Sequence, residues 1–419
     1  MIRMTRLVSA MTILLLACGC FQLKVIAQTT TDNTTAAAAP AAPAAAAPQA
    51  AATPAPTPTP DPLAGISSVI GGATITGLVD GYYSYNSNQP ANHTATFQLF
   101  DPQTNTFALN LIELGLVKSP DASSRLGYNV TFGFGNAMNV VNSSDPSFLQ
   151  YLKESYLSYL APVGKGLQFD FGKFVTPAGA EVIESNANWN YSRSLLFYNA
   201  IPYYHFGLRM KYAFNDKYSL TGYVVNGWNN VTQSNTEGKT GGLSFAWNPN
   251  KKVSLTETWL GGPGAVPIEN NQWRDVIDTV ITYTPNAKLS LMVNGDYGQV
   301  QGFTGYSKSV DWYGAAGYLK YQLNASYAVA TRYEYYGDPD GYTTGLGTFE
   351  GTTYLPAGQH IQEVTGTLER KIAQHLTARM EFRHDIAEQP VFGKNSNLLP
   401  VQGQTTVTAG LVLALEPNK

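Results

Sequence analysis

A chain of 419 residues carrying 26 basic and 29 acidic side chains has room for two or three soluble domains, or for one large barrel preceded by a leader and a linker. Charged residues make up only 13% and aromatics 12%, and no apolar run of about 18 residues follows the N-terminus, which excludes a helical membrane bundle. Without Arg3, Arg6 and Lys24 of the leader, 23 basic residues face 29 acidic ones, and the resulting charge of −6 argues against nucleic acid as a partner.

Residues 1–27 read as an export signal. Arg3 and Arg6 form a basic start, Leu7 to Ala17 an apolar core, and Val25-Ile26-Ala27 a small-residue cleavage site before Gln28. Leu15-Leu16-Ala17-Cys18 also reads as a lipoprotein cleavage box, and the two alternatives compete. Both cysteines, Cys18 and Cys20, lie in this segment, so cleavage after Ala27 leaves a mature chain with no thiol to oxidise. Residues 28–62, rich in Ala, Pro and Thr, are too poor in large apolar groups to fold and are expected to form an extended tether. A third segment, 63–419, holds everything else.

From Ala73 onward the chain alternates about sixteen segments of roughly ten residues with gaps that are short and long in turn. The short gaps are polar turns such as SPDASS, APVGKG, FNDKY, NPNKK and TPNAK, while the long ones are rich in Gly, Asn, Ser and Pro. Hairpins with one tight and one loose end are what a transmembrane antiparallel β-barrel requires, with short periplasmic turns and long extracellular loops. The expected fold is therefore all-β, a barrel of about 16 strands with a range of 14–18.

The faces of single segments support this. In Leu126 to Phe134 the even positions are Leu, Tyr, Val, Phe and Phe, and the odd ones Gly, Asn, Thr and Gly. Phe206, Leu208, Met210 and Tyr212 alternate with His205, Arg209 and Lys211; Leu376, Ala378, Met380 and Phe382 alternate with Arg379, Glu381, Arg383 and Asp385. Four charged inward positions in a row imply a wet inner face, since a buried unpaired charge costs several kcal/mol. The lumen-facing candidates are Arg209, Lys211, Arg332, Arg379 and Arg383 against Asp170, Asp296, Glu334, Glu369, Glu381 and Asp385. Tyr82, Tyr83, Tyr85, Trp228, Trp247, Trp259 and Tyr336 lie near strand ends, where aromatic girdles are expected. Two strands fit less well: Glu257 falls on an apolar face, and the last strand ends in Glu416-Pro417-Asn418-Lys419 without a terminal aromatic.

The third long gap, from Val175 to Tyr204, carries Trp189, Leu195, Leu196, Phe197 and Ile201 and so has apolar surface to bury. It is expected to fold into the lumen and to place Glu181, Glu184 and Arg193 at a constriction, where opposed charges set ion preference. The alternative for Arg193 is a salt bridge that anchors the loop. The run from Gly172 to Glu181 (GKFVTPAGAE), the NWNYSRS from Asn188 and the PYYHFG from Pro202 resemble the OmpL-like outer-membrane β-barrel porins. Leu220 to Asn229 is similar to them as well. The resemblance is densest over residues 165–260 and implies a porin-like barrel without supplying a solute.

The five histidines show no metal-ligand spacing, and adjacent His384 and Asp385 point to opposite faces of a strand, so neither a zinc site nor a hydrolase constellation is expected. Asp338-Pro339-Asp340-Gly341 resembles part of a calcium loop but reads better as a turn. The expectation is a passive outer-membrane channel for small hydrophilic solutes, needing no cofactor, in contact with outer-membrane lipid, and a homotrimer by analogy. A closed-lumen barrel acting as an adhesin or surface interaction protein is the alternative.

Overall fold

The computed structural model describes residues 71–232, 238–263, 273–301, 309–344, 347–349, 352–354, 358–395 and 397–415, so the expectations for the leader, the tether and the last four residues fall outside it. Sixteen strands form one closed antiparallel barrel. The first eight are β1 (Thr74–Asn86), β2 (Thr106–Lys118), β3 (Leu126–Phe134), β4 (Leu152–Ala161), β5 (Leu167–Val175), β6 (Tyr204–Ala213), β7 (Tyr218–Val225) and β8 (Thr240–Asn250). The rest are β9 (Val253–Pro263), β10 (Trp273–Tyr283), β11 (Leu289–Gln301), β12 (Val310–Gln322), β13 (Tyr327–Asp338), β14 (Gln359–Ala373), β15 (Leu376–Ala387) and β16 (Gly403–Leu415). Each pairs with its sequence neighbour, and β1 closes on β16 from Gly77 opposite Leu415 to Asn86 opposite Thr406.

The tight turns gather at one end and share one chemistry. Asn215, Asn286 and Asn324 each accept the backbone N–H groups two and three residues on, and Asp121 does the same for Ser123 and Ser124. Such side-chain turns reverse the strand without help from distant packing. Eight longer connections, L1 to L8, span 87–105, 135–151, 176–203, 226–239, 264–272, 302–309, 339–358 and 388–402, and their described parts lie at the other end. L2 includes a short helix, α1 (Asn136–Val141), and the described parts of L7 and L8 contain two small hairpins outside the barrel wall.

Two β-bulges interrupt the alternation within the first four strands. The register shifts beside Asp80 leave Asn110 as an extra residue on β2, and the shift beside Thr131 leaves Lys153 extra on β4. Each extra residue turns a polar side chain inward. Asn110 donates to the Asp80 carboxylate at 2.6 Å, and Lys153 pairs with Glu113 at 2.6 Å.

The barrel mouth is packed. Phe97 and Phe100 from L1, Met138 from α1, and Ile183, Leu196 and Phe197 from L3 are all buried against wall residues such as Val276, Val300, Trp312 and Ile361. Of the aromatics expected in girdles, Tyr85, Trp247 and Trp259 are exposed on the outer surface, whereas Tyr82 and Tyr336 are 4% and 0% exposed. Those two fall on inward positions of β1 and β13 and serve this inner core, as Trp228 of L4 does by packing edge-on against Trp312. Glu257 does lie on the outer face of β9, with its carboxylate accepting the Thr279 hydroxyl at 2.6 Å.

Candidate functional site

L3 folds into the lumen, as its apolar content demanded, and the wall holds it by its backbone. Glu381 on β15 accepts the N–H groups of Tyr191 and Ser192 at 2.5 and 2.9 Å, and Glu334 on β13 accepts those of Leu195 and Leu196 at 2.6 and 2.7 Å. The arginines take the carbonyls. Arg379 donates to Ser185, Asn188 and Asn190, Arg383 to Arg193 at 2.7 Å, and Arg332 to Ser192 at 2.8 Å. A charged acceptor over two adjacent N–H groups satisfies backbone that would otherwise be buried unpaired, and charged hydrogen bonds are each worth about 1.5–3 kcal/mol.

This arrangement corrects the expectation of a wet inner face. Arg332, Arg379, Glu381, Arg383 and Asp385 are each at most 3% exposed. Strand alternation identified the face, but L3 and L1 cover it and replace water with peptide groups. The charges also neutralise one another along the wall: Arg332 bridges Glu181 at 2.7 Å and Glu363 at 2.6 Å, Arg379 pairs with Glu369 at 2.7 Å, and Arg383 with Asp385 at 2.8 Å.

The three residues expected at a constriction separate. Glu181 accepts Arg332 and the Ser194 N–H at 2.6 Å, inside the loop–wall seam. Arg193 donates to the carbonyls of Tyr191, Val182 and Ile183 and stacks 5.1 Å from the Phe100 ring, so its guanidinium knits L3 to itself and to L1. Glu184 reaches across to Lys153, which also holds Glu113, and keeps a quarter of its side chain exposed.

On the opposite arc the lumen wall is less covered. Arg209 on β6 pairs with Asp170 on β5 at 2.6 Å, lies 4.7 Å from the Phe174 ring and 5.0 Å from the Tyr156 ring, and stays 22% exposed. Lys211 follows on the same face and is exposed towards the turn end. Asp296 sits directly opposite Asp278 on the paired strand, and both are buried. Sequence reading missed Asp80, Lys153, Glu154 and Glu363. Asp80 and Glu363 lie on regular inward positions and were available to the same alternation count; Lys153 sits at a bulge, where counting fails.

Two loop features complete the site. Asp101 of L1 is 1% exposed, and burial, reinforced by the Glu381 carboxylate against the pull of Arg383, Arg193 and Arg332, pushes its carboxyl up to about 7. Asp338 at the end of β13 accepts the N–H groups of Tyr342, Thr343 and Thr344 at 2.8–2.9 Å, a turn cap. Among the described residues no cluster of three or more His, Cys, Asp or Glu side chains is placed to hold a metal ion.

A closed sixteen-strand barrel with an apolar outer surface, turns at one end, loops at the other and one long loop laid into the lumen is the architecture of an outer-membrane channel. The chain belongs to the family described as "Putative beta-barrel porin-2, OmpL-like", which matches residues 72–415. Among solved structures it is similar to the anion-selective porin from Comamonas acidovorans, with 10% identity, 82% of this chain and 99% of that one covered, and a TM-score of 0.54. It is also similar to the trimer form of in-vitro folded OmpT of Vibrio cholerae, with 12% identity, coverage of 82% and 99%, and a TM-score of 0.52. The outer membrane channel DcaP of Acinetobacter baumannii matches at 10% identity, coverage of 82% and 97%, and a TM-score of 0.51. These likenesses show the fold. No curated protein matches the sequence.

Proposed function

We propose that this outer-membrane channel passes small hydrophilic solutes by diffusion along the arc of the lumen that L3 leaves uncovered, past a constriction between the tip of L3 and β2, β4 and β6. The observation that carries the reading is the split between clamped and exposed charge. The arginines and carboxylates of β13 to β15 are buried in the loop seam, while Glu184, Glu113 and Arg209 keep part of their side chains exposed. Opposed charges in a narrow, partly desolvated passage impose a transverse field on whatever passes. In this reading Glu184 faces the passage, and Glu181 and Arg193 act on it by holding the loop in place.

Residues 1–27 would direct export and 28–62 would form the tether, and the barrel would assemble as a homotrimer, as the structurally similar Vibrio cholerae OmpT does in its trimer form. The test is single-channel conductance of the folded protein in a planar bilayer, with the reversal potential measured across a salt gradient. Steady openings whose selectivity moves in Glu184→Gln support the reading. Silence from folded protein would favour a surface interaction barrel with a closed lumen.

A further inference from the structure

On β13 to β15 each buried carboxylate faces a guanidinium or peptide N–H groups. On β10 and β11 the buried carboxylates have neither in full. Asp278 and Asp296 stand directly opposite one another in the strand register, 0% and 5% exposed, and among the described residues neither forms an ion pair with a basic side chain. Asn294 donates to Oδ2 of Asp278 at 2.6 Å, and the Gly179 N–H of L3 reaches the same carboxylate. Oδ1 of Asp278 and both oxygens of Asp296 have no hydrogen-bond donor. The other charge that acts on Asp296 is a third carboxylate, Glu334. Two like charges buried side by side are strongly unfavourable unless a counter-charge neutralises them.

L3 brings a further unsatisfied group to the same place. Its last turn, Leu196–Ala200, packs on β11 and β12. The Leu196 side chain lies against Gly314, the residue opposite Asp296 on β12, and the Ala200 carbonyl accepts the Trp312 indole N–H at 3.1 Å. Asn199, between them in that turn, is 8% exposed, and neither the oxygen nor the nitrogen of its amide has a partner. A buried amide carried over two buried carboxylates, with oxygens to spare on all three, is an all-oxygen donor set of the kind that hard divalent cations take.

We propose that Asp278 and Asp296 hold a hard divalent cation, Ca2+ or Mg2+, and that the Asn199 amide oxygen closes the site from L3. The divalent charge balances the two carboxylates, and water fills the positions that protein oxygens leave. The site also fixes the loop. Asp278 accepts the Gly179 N–H, and Oδ1 of Asn294 accepts the Ala180 N–H at 3.2 Å, so the ion ties both the first and the last turn of L3 to β10 and β11. It does for this side of the loop what the arginines of β13 to β15 do for the other.

The experiment is metal analysis of the full folded chain in detergent, stripped with EDTA, incubated with millimolar Ca2+ or Mg2+ and freed of unbound ion by gel filtration. Thermal unfolding is followed alongside, with and without chelator. The expected result is a single ion retained per barrel, lost in Asp296→Asn and held more weakly in Asn199→Leu. EDTA lowers the unfolding temperature of the parent and leaves that of Asp296→Asn unmoved, and the cation that restores the parent names the ion. Asp296→Asn keeps the side-chain shape and removes one of two like charges, so loss of the ion is not loss of the fold. A parent that retains no ion and is indifferent to EDTA would overturn the site and leave the two carboxyls sharing a proton. Equal retention by Asp296→Asn would put the ion elsewhere and overturn the assignment, and undiminished affinity in Asn199→Leu would overturn the part given to L3. Because the readout is bound metal, it succeeds or fails separately from conduction.

Discussion

On β15, Arg379, Glu381, Arg383 and Asp385 alternate with Ala378, Met380 and Phe382, and on β5 and β6, Asp170 and Arg209 hold the corresponding inward positions between Phe169, Phe171, Leu208 and Met210. The two stretches obey the same period and face the same lumen. On β15 every one of those charges is spoken for by L3 or a wall partner, and none is more than 3% exposed, whereas Arg209 leans on two aromatic rings and keeps a fifth of its surface. The difference shows that alternation decides which way a side chain points and says nothing about what lies over it. Cover comes from a loop whose contacts are formed across more than a hundred residues of sequence.

The sharpest way to break the contrast is to remove the hub of the covered arc. Arg332 joins Glu181, Glu363 and the Ser192 carbonyl, and Arg332→Met strands two buried carboxylates beside Glu334. Breaking a buried pair of this kind costs about 3–5 kcal/mol. Arg332→Met is therefore expected to unfold at a visibly lower temperature on a heat-modifiability gel and, where it remains folded, to conduct more because L3 is freed. Parent stability with parent conductance would show that apolar packing alone holds the loop.

Asp101 tests the same seam from the L1 side. Its carboxyl titrates at about 7 in the folded chain against an ordinary value of 3.8, so the unfolded chain releases the proton first. The contribution to stability is fully present below about pH 4 and is lost as pH rises to about 7, on the order of 4 kcal/mol in total. Asp101→Asn should flatten this part of the pH dependence and be more stable than the parent at pH 8. Parallel thermal curves for the two proteins between pH 5 and 8 would sink the idea.

A smaller effect is expected from Glu381→Gln, which keeps the shape but turns a charged acceptor of two N–H groups into a neutral one. The loss should be about 1.5–3 kcal/mol, with faster amide exchange at Tyr191 and Ser192 as its local signature.

Much of the fold was legible because a membrane barrel writes its faces directly into a period of two. The alternation of tight and loose gaps and the near-sixteen segments follow from that period, and the inward path of L3 follows from Leu195, Leu196 and Phe197 needing a surface. Phe97 and Phe100 of L1 carried the same argument and bury themselves in the same core, so that loop was readable in the same way. The pairing was not. Nothing local ties Glu381 to the N–H of Tyr191, 190 residues away in sequence, or Arg332 to Glu181, 151 away. Lys153 is hidden for a different reason: the bulge beside Thr131 reverses its face, so strict alternation along β4 would put it outside although it points in.

That residue and its neighbour Glu184 give the finest test of the comparison. Lys153 sits between Glu113 and Glu184, so the group carries one surplus negative charge next to the uncovered arc, with Glu154 beside it accepting the Val175 N–H at 3.3 Å. Partly exposed charges interact weakly, by about 0.2–1 kcal/mol. Glu184→Gln should therefore shift the reversal potential towards anions by no more than about a fivefold change in permeability ratio, and Lys153→Met should shift it towards cations. Arg193→Gln is the control that separates the two arcs. Its guanidinium faces loop carbonyls and the Phe100 ring, so it should lower stability and raise current noise while leaving selectivity nearly unchanged. Selectivity that follows Arg193 and ignores Glu184 would place the passage on the other side of L3, and the covered and uncovered arcs would exchange roles.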